Sequence, residues 1–107
     1  MELKQKSWGG EWLIHNGAYC MKLLVYTRRI ASSLHYHERK HESFYIASGK
    51  FLLEDESGAT QMMNPGHSVV LPPGRRHRVR CLEPGTIVEA STQDDPEDCV
   101  RLIPSEQ

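Results

Sequence analysis

The chain has 107 residues, 13 basic and 14 acidic, with a formal net charge of −1. That length supports one domain, residues 1–107, with a single core. The balanced charge argues against nucleic acid as a partner, since domains of that kind carry a basic excess.

No apolar run is long enough to span a bilayer, and Met1-Glu2-Leu3-Lys4-Gln5-Lys6 lacks the apolar core of a signal peptide. Cys20, Cys81 and Cys99 are odd in number and show no pairing pattern. A cytoplasmic protein with reduced thiols is therefore expected.

Taken in order, Trp8-Gly9-Gly10-Glu11-Trp12 predicts a turn that lays aromatic bulk over one end of the core. Glu11 to His15 reads as a short strand and Asn16-Gly17 as a tight turn. Tyr19 to Thr27 reads as a long strand whose Leu23-Leu24-Val25 run suits cover on both faces. Arg28 to Ser33 is a loop. Ser43 to Asp55 is a β segment broken at Gly49, Ser57-Gly58 a turn, and Ala59 to Met63 a short strand ending at Asn64-Pro65-Gly66. Ser68 to Leu71 is an apolar strand stopped by Pro72-Pro73-Gly74. His77 to Leu82 and Thr86 to Thr92 are strands on either side of Glu83-Pro84-Gly85. Gln93 to Asp98 is an acidic loop, Cys99 to Ile103 a closing strand and Pro104 to Gln107 a tail. No segment sustains a helical period. Short strands separated by Gly and Pro turns predict an all-β sandwich or barrel.

The chemistry gathers in Ser32 to Gly49 and around His77. His35 and His37 are two apart, so on a strand both imidazoles share a face. Glu42 follows closely, and His77 comes just after the rigid Pro72-Pro73-Gly74 turn. Three imidazoles and a carboxylate are a first-row transition-metal donor set. His41 competes with Glu42 for the carboxylate's place, and His15 and His67 read as surface or turn residues. Cys81 shares a strand face with His77 and reads as a small wall residue. Arg76, Arg78 and Arg80 alternate to the opposite face, which reads as a solvated cluster; an anion-binding role is the other reading.

These spacings resemble the cupin family. Its first motif is matched by His35-x-His37, four residues, Glu42, six residues and Gly49. Its second is matched by Gly66, five residues, Pro72-x-Gly74, two residues and His77, with Cys81 where the motif has Asn. The six-residue gap to Gly49 fits Glu42 and not His41. The resemblance implies an antiparallel double-stranded β-helix, or jelly-roll barrel, with His35, His37, Glu42 and His77 as ligands of one divalent ion. Donor type leans toward Zn, Fe or Mn.

A looser similarity joins Trp8-Gly9, Ser33 to His37, Glu89-Ala90-Ser91-Thr92 and Asp98-Cys99-Val100-Arg101 to mannose-6-phosphate isomerase-like cupins. It implies a sugar or sugar-phosphate isomerase-like enzyme. Glu89 is then the catalytic base if it faces inward, and Arg101 the phosphate partner. Cupins with the same donor set are also Fe- or Mn-dependent dioxygenases and decarboxylases, and non-catalytic sugar-binding cupins form a third class. The expected partner is a polar or phosphorylated small molecule, and the expected assembly a homodimer.

Overall fold

The computed structural model describes all residues, Met1–Gln107. Eleven strands follow one another: β1 (Glu2–Lys6), β2 (Gly9–Asn16), β3 (Cys20–Tyr26), β4 (Leu34–His37), β5 (Glu42–Ile46), β6 (Lys50–Glu54), β7 (Thr60–Met63), β8 (Ser68–Leu71), β9 (Arg78–Glu83), β10 (Gly85–Ser91) and β11 (Cys99–Ile103). The only helical element is a 3-10 turn at Pro96–Asp98, and no helix is long and apolar enough to cross a membrane.

Six strands form one antiparallel sheet in the order β1-β2-β3-β10-β5-β8. The facing layer consists of β7-β6-β9 and β4-β11. Isolated bridges at Ala31–Arg80 and His35–His77 join the two parts. The result is the expected antiparallel double-stranded β-helix, with alternate residues of every strand turned into one interior.

The strand assignments hold closely, with one omission. β1 has no apolar alternation, so nothing local predicts it; it forms because it finds the edge of β2, in register from Glu2 opposite Leu13 to Lys6 opposite Gly9. Trp8, next to it, is buried and stacks on Tyr26 with ring centroids 4.1 Å apart, as the sequence suggests.

Two glycines hold the site's framework. Gly49, between β5 and β6, has φ +84°, and a Cβ there would meet Glu83 O at 2.7 Å and Gly85 Cα at 2.8 Å. Gly74 has φ +83° in a turn closed by Arg75 N–H donating to Pro72 C=O at 3.2 Å. Proline followed by a positive-φ glycine suits a turn of this kind, and it sets the chain down with His77 opposite His35.

The apolar core fills one half of the barrel. Ile46, Phe51 and Ile87 are fully buried, and Met63, Leu71 and Cys81 nearly so. Cys81 is part of this apolar cluster, in keeping with a wall residue.

Candidate metal centre

Three strands deliver the four predicted donors. His35 and His37 project from β4, Glu42 opens β5, and His77 immediately precedes β9. His35 and His77 exchange both backbone hydrogen bonds, at 3.0 and 2.9 Å. They are therefore directly opposite, and their rings stand 4.5 Å apart on one face. The His35 and His37 rings are 5.1 Å apart.

The tautomers follow from the backbone. Nδ1 of His35 faces Ser33 C=O at 3.1 Å, that of His37 faces Asp98 C=O at 3.1 Å, and that of His77 faces Arg75 C=O at 3.0 Å. A carbonyl can only accept, so each Nδ1 carries the hydrogen and each neutral ring keeps its lone pair on Nε2. Burial, with the neighbouring His77 and His37, holds His35 down at about 3, so its ring is neutral at ordinary pH. Burial likewise lowers His37, against the opposing pull of Glu42. Neutral imidazoles are what metal binding requires.

Glu42 closes the set. Its Oε1 lies 3.2 Å from His77 Nε2 and its Oε2 lies 3.8 Å from His37 Nε2. Glu42 Oε1 and His77 Nε2 are both buried without a hydrogen-bond partner of good geometry. Two lone pairs facing one another across 3.2 Å repel unless a proton or a cation lies between them. Bonds of about 2.0–2.2 Å to a shared ion separate adjacent donors by roughly 3.0–3.5 Å, so this spacing fits a first-row metal. Burial pushes the Glu42 carboxyl up, but the polar His77 ring and the Lys40 ammonium beside it outweigh the burial and hold it down at about 2.

Charges deeper in the cavity point the same way. Lys40 Nζ lies 2.8 Å from Glu89, 2.9 Å from Asp94 and 3.4 Å from Glu42. Lys22 Nζ lies 3.1 Å from Asp94 and 3.4 Å from Glu11. Four carboxylates thus share these two ammonium groups; Lys4, Lys6 and Arg101 line the same cavity without pairing to them, so the excess of negative charge is local to Glu42 and Glu89, where a cation would be favoured. Glu89 registers that excess: burial and the Glu42 charge push its carboxyl up, with Lys40 and Lys22 opposing. Lys40 itself is held charged, because the pull of Glu89 and Glu42 exceeds the cost of its burial.

Glu89 faces inward on β10, 5% exposed, and lines a cavity of about 260 Å³ together with His35, Glu42, His77, Lys40 and Arg101. That is close to the lower end of small-molecule sites, about 300 Å³. Arg101 stands opposite His35 on β11, at the exposed rim. His41, His15 and His67 are exposed and take no part. Arg78 and Arg80 are spent on structure: Arg78 donates to Ser32 and Pro104 carbonyls, and Arg80 pairs with Glu54 and Glu106.

Lys22, Lys40, Asp94 and Asp98 escape the sequence reading. Asp98 is buried, and its carboxylate accepts the backbone N–H groups of Glu38, Arg39 and Lys40 at 2.9–3.2 Å. It thereby holds the loop that aims Lys40, while its own carbonyl orients His37. Burial alone would raise its pKa, but those hydrogen bonds lower it. Its signal was the Asp98 to Arg101 segment. For the two lysines and Asp94 no local pattern distinguishes them from surface charge. The cluster whose ligand atoms all lie within 4.8 Å of one another is His35, His37 and Cys99; Glu42 and His77 stand outside it as a pair 3.2 Å apart, so the four predicted donors do not all converge and Cys99 takes a place beside the two β4 histidines. Burial raises the Cys99 thiol, which makes it a poorer donor than the ionised Glu42.

Residues 25–90 match the family model of the cupin domain. No curated protein sequence matches the chain. Solved structures share the fold. KdgF from Halomonas sp. superposes with a TM-score of 0.79 at 19% identity, over 91% of this chain and 90% of that one. An RmlC-like cupin from Shewanella frigidimarina gives 0.77 at 17%, over 90% and 86%. Oxalate decarboxylase from Bacillus subtilis gives 0.75 at 17%, over 94% of this chain and 30% of that one. With more than half of its length matched by the domain, this chain belongs to the cupin family.

Proposed function

We propose that the chain is a metal-dependent enzyme acting on a small polar molecule, and that it is a sugar or sugar-phosphate isomerase-like cupin. His35, His37, Glu42 and His77 would hold one divalent ion, Zn, Fe or Mn. The observation that carries this reading is the buried, unpartnered pair of Glu42 and His77, 3.2 Å apart and beside the other two Nε2 lone pairs, at the head of a ligand-sized cavity.

When bound, the ion would supply Lewis acidity to a carbonyl or hydroxyl oxygen. Glu89, held 2.8 Å from Lys40 with its pKa raised by burial and Glu42, is suited to take a proton from one carbon and return it to the next. Lys40 stays charged throughout and fixes both carboxylates. Arg101 at the rim would take the anionic end of the substrate.

The test is solvent-deuterium exchange into a panel of aldoses, ketoses and their phosphates by metal-loaded protein. Exchange that disappears in Glu89→Gln, with metal content retained, is the expected result. A panel that is bound but never exchanged would leave a non-catalytic binding protein.

A second reading, an Fe- or Mn-dependent dioxygenase or decarboxylase, is supported by the same three-His, one-carboxylate donor set. Oxygen uptake or CO2 release with Fe- or Mn-loaded protein would favour it over isomerisation.

The homodimer belongs to this proposal as well. Leu3, Trp12, Leu23, Val88 and Tyr45 stand in register across five strands on the outer face of the large sheet. Tyr45 is 50% exposed, and an apolar row of this kind suits a second copy. Val88→Asp should give a monomer by light scattering; an unchanged mass for both proteins would remove this face from the assembly.

A further inference from the structure

β1 is turned inside out. Its register with β2 places Lys4 opposite Glu11 and Lys6 opposite Gly9, and Glu11 stands opposite the buried Leu24. Lys4 and Lys6 therefore occupy the interior face of the large sheet, while Leu3 is turned outward and 41% exposed. A strand that only closes a barrel does the reverse. On the facing layer, Arg101 stands opposite His35 and so shares the inward face of the metal donors. All three cations line the cavity that contains His35, Glu42 and His77.

Their pairing separates them from the other cations of that cavity. Lys22 and Lys40 lie deeper and are each held by two or more carboxylates. Lys4, Lys6 and Arg101 enter no ion pair and donate no side-chain hydrogen bond. Lys6 is half-buried, and burial together with the charges of Lys4, Arg101 and Lys22 lowers its pKa, against Glu11. Like charges collected at the mouth of a concave site focus the field on an incoming anion.

We propose that Lys4, Lys6 and Arg101 form an anion cradle at the cavity mouth, which selects small polyhydroxylated molecules bearing a terminal phosphate or carboxylate. All three residues lie outside residues 25–90, the part matched by the shared domain. The matched segment thus carries the proposed metal donors, and the first and last strands carry the cations of the cradle. The cradle rests on the proposed enzyme only for what happens at the other end of the ligand; binding of the anion needs no metal.

The experiment is calorimetric titration of metal-free protein with inorganic phosphate, glucose 6-phosphate, glucuronate and glucose. Wild type should bind the anions and not glucose. Lys6→Gln or Arg101→Gln should each weaken anion binding by about 10-fold, as expected for loss of one charge-assisted contact. The triple variant with Lys4→Gln should abolish binding, while Arg101→Lys retains most of it. Thermal melts check that every variant folds. Whichever of glucose 6-phosphate and glucuronate binds more tightly identifies the terminal group. Glucose bound as tightly as the anions, or a folded triple variant with undiminished affinity, would overturn the cradle. Uptake of Zn(II), Fe(II) and Mn(II) measured on the same samples keeps the two ideas apart: anion binding with none of the three taken up fails the metal enzyme and leaves the cradle standing, and metal uptake without anion binding does the opposite.

Discussion

The barrel interior has two halves built on opposite principles. One is dry: Ile46, Phe51, Met63, Leu71 and Ile87 are buried to within 1% of complete, and a change in one affects its neighbours through packing alone. The other is charged: Lys22, Lys40, Glu42, His77 and Glu89 are each no more than 7% exposed, in a place where unpaired charge is costly. Both halves are carried by the same strands. β5 contributes Glu42 to one and Ile46 to the other, and β10 contributes Glu89 and Ile87. The difference teaches that the dry half supplies the stability that lets the charged half remain unbalanced. That local excess of carboxylate is where the proposed divalent ion would be held.

The largest effect should come from the dry half. Phe51→Ala should cost about 3–5 kcal/mol in urea unfolding, a large part of the roughly 5–15 kcal/mol available to a domain. A loss below about 1 kcal/mol would mean that the core does not carry the fold in this way.

His77→Ala should separate the halves. It should weaken Zn or Mn binding by more than the about 10–100-fold typical of outer partners, while the metal-free melt stays cooperative. Added metal should stabilise wild type by up to about 4 kcal/mol at a thousand times Kd and the variant hardly at all. Equal metal affinity in a chelator competition would break the ligand assignment.

A smaller effect should appear in the acid limb of metal-free protein. The Glu42 carboxyl falls from an ordinary 4.5 to about 2 on folding, so its contribution is complete above pH 4.5 and is lost as pH falls towards 2. Glu89 is raised instead; its contribution is present at low pH and is lost as pH rises through its folded value. Glu42→Gln should therefore flatten the fall in stability between pH 4.5 and 2. Parallel acid limbs for the two proteins would contradict the charge assignment.

Smallest of all should be Cys99→Ser, because its thiol is neutral where Glu42 is ionised. Metal affinity should change by less than about 10-fold, below the usual effect of losing an outer partner. A sulfur-to-cobalt charge-transfer band in Co(II)-substituted wild type, absent from the variant, would instead make Cys99 a ligand.

Much of this was legible locally. Period-two placement of His35 and His37, the turn at Pro72-Pro73-Gly74 and the bend at Gly49 each announce themselves within a few residues, because backbone geometry is decided at that range. The strands from Glu11 onward follow from alternation and punctuation for the same reason. β1 did not, since its charged residues face inward and its leucine outward.

The sequence by itself determined the barrel, the paired histidines of β4 and the carboxylate that follows them, all of which depend on near neighbours and on the cupin spacing. Only the tertiary structure decided which charges meet. Lys40 and Asp94 are 54 positions apart and Lys22 and Asp94 are 72 apart. Asp98 reaches 58 positions back to hold the Lys40 loop, and Lys6 and Arg101 converge from opposite ends of the chain. Coulomb energy depends on distance and burial, and neither is encoded in the residues that flank a charge. For that reason the candidate donors could be read from the sequence, while the charges around them and the cations at the cavity mouth had to be found in the fold.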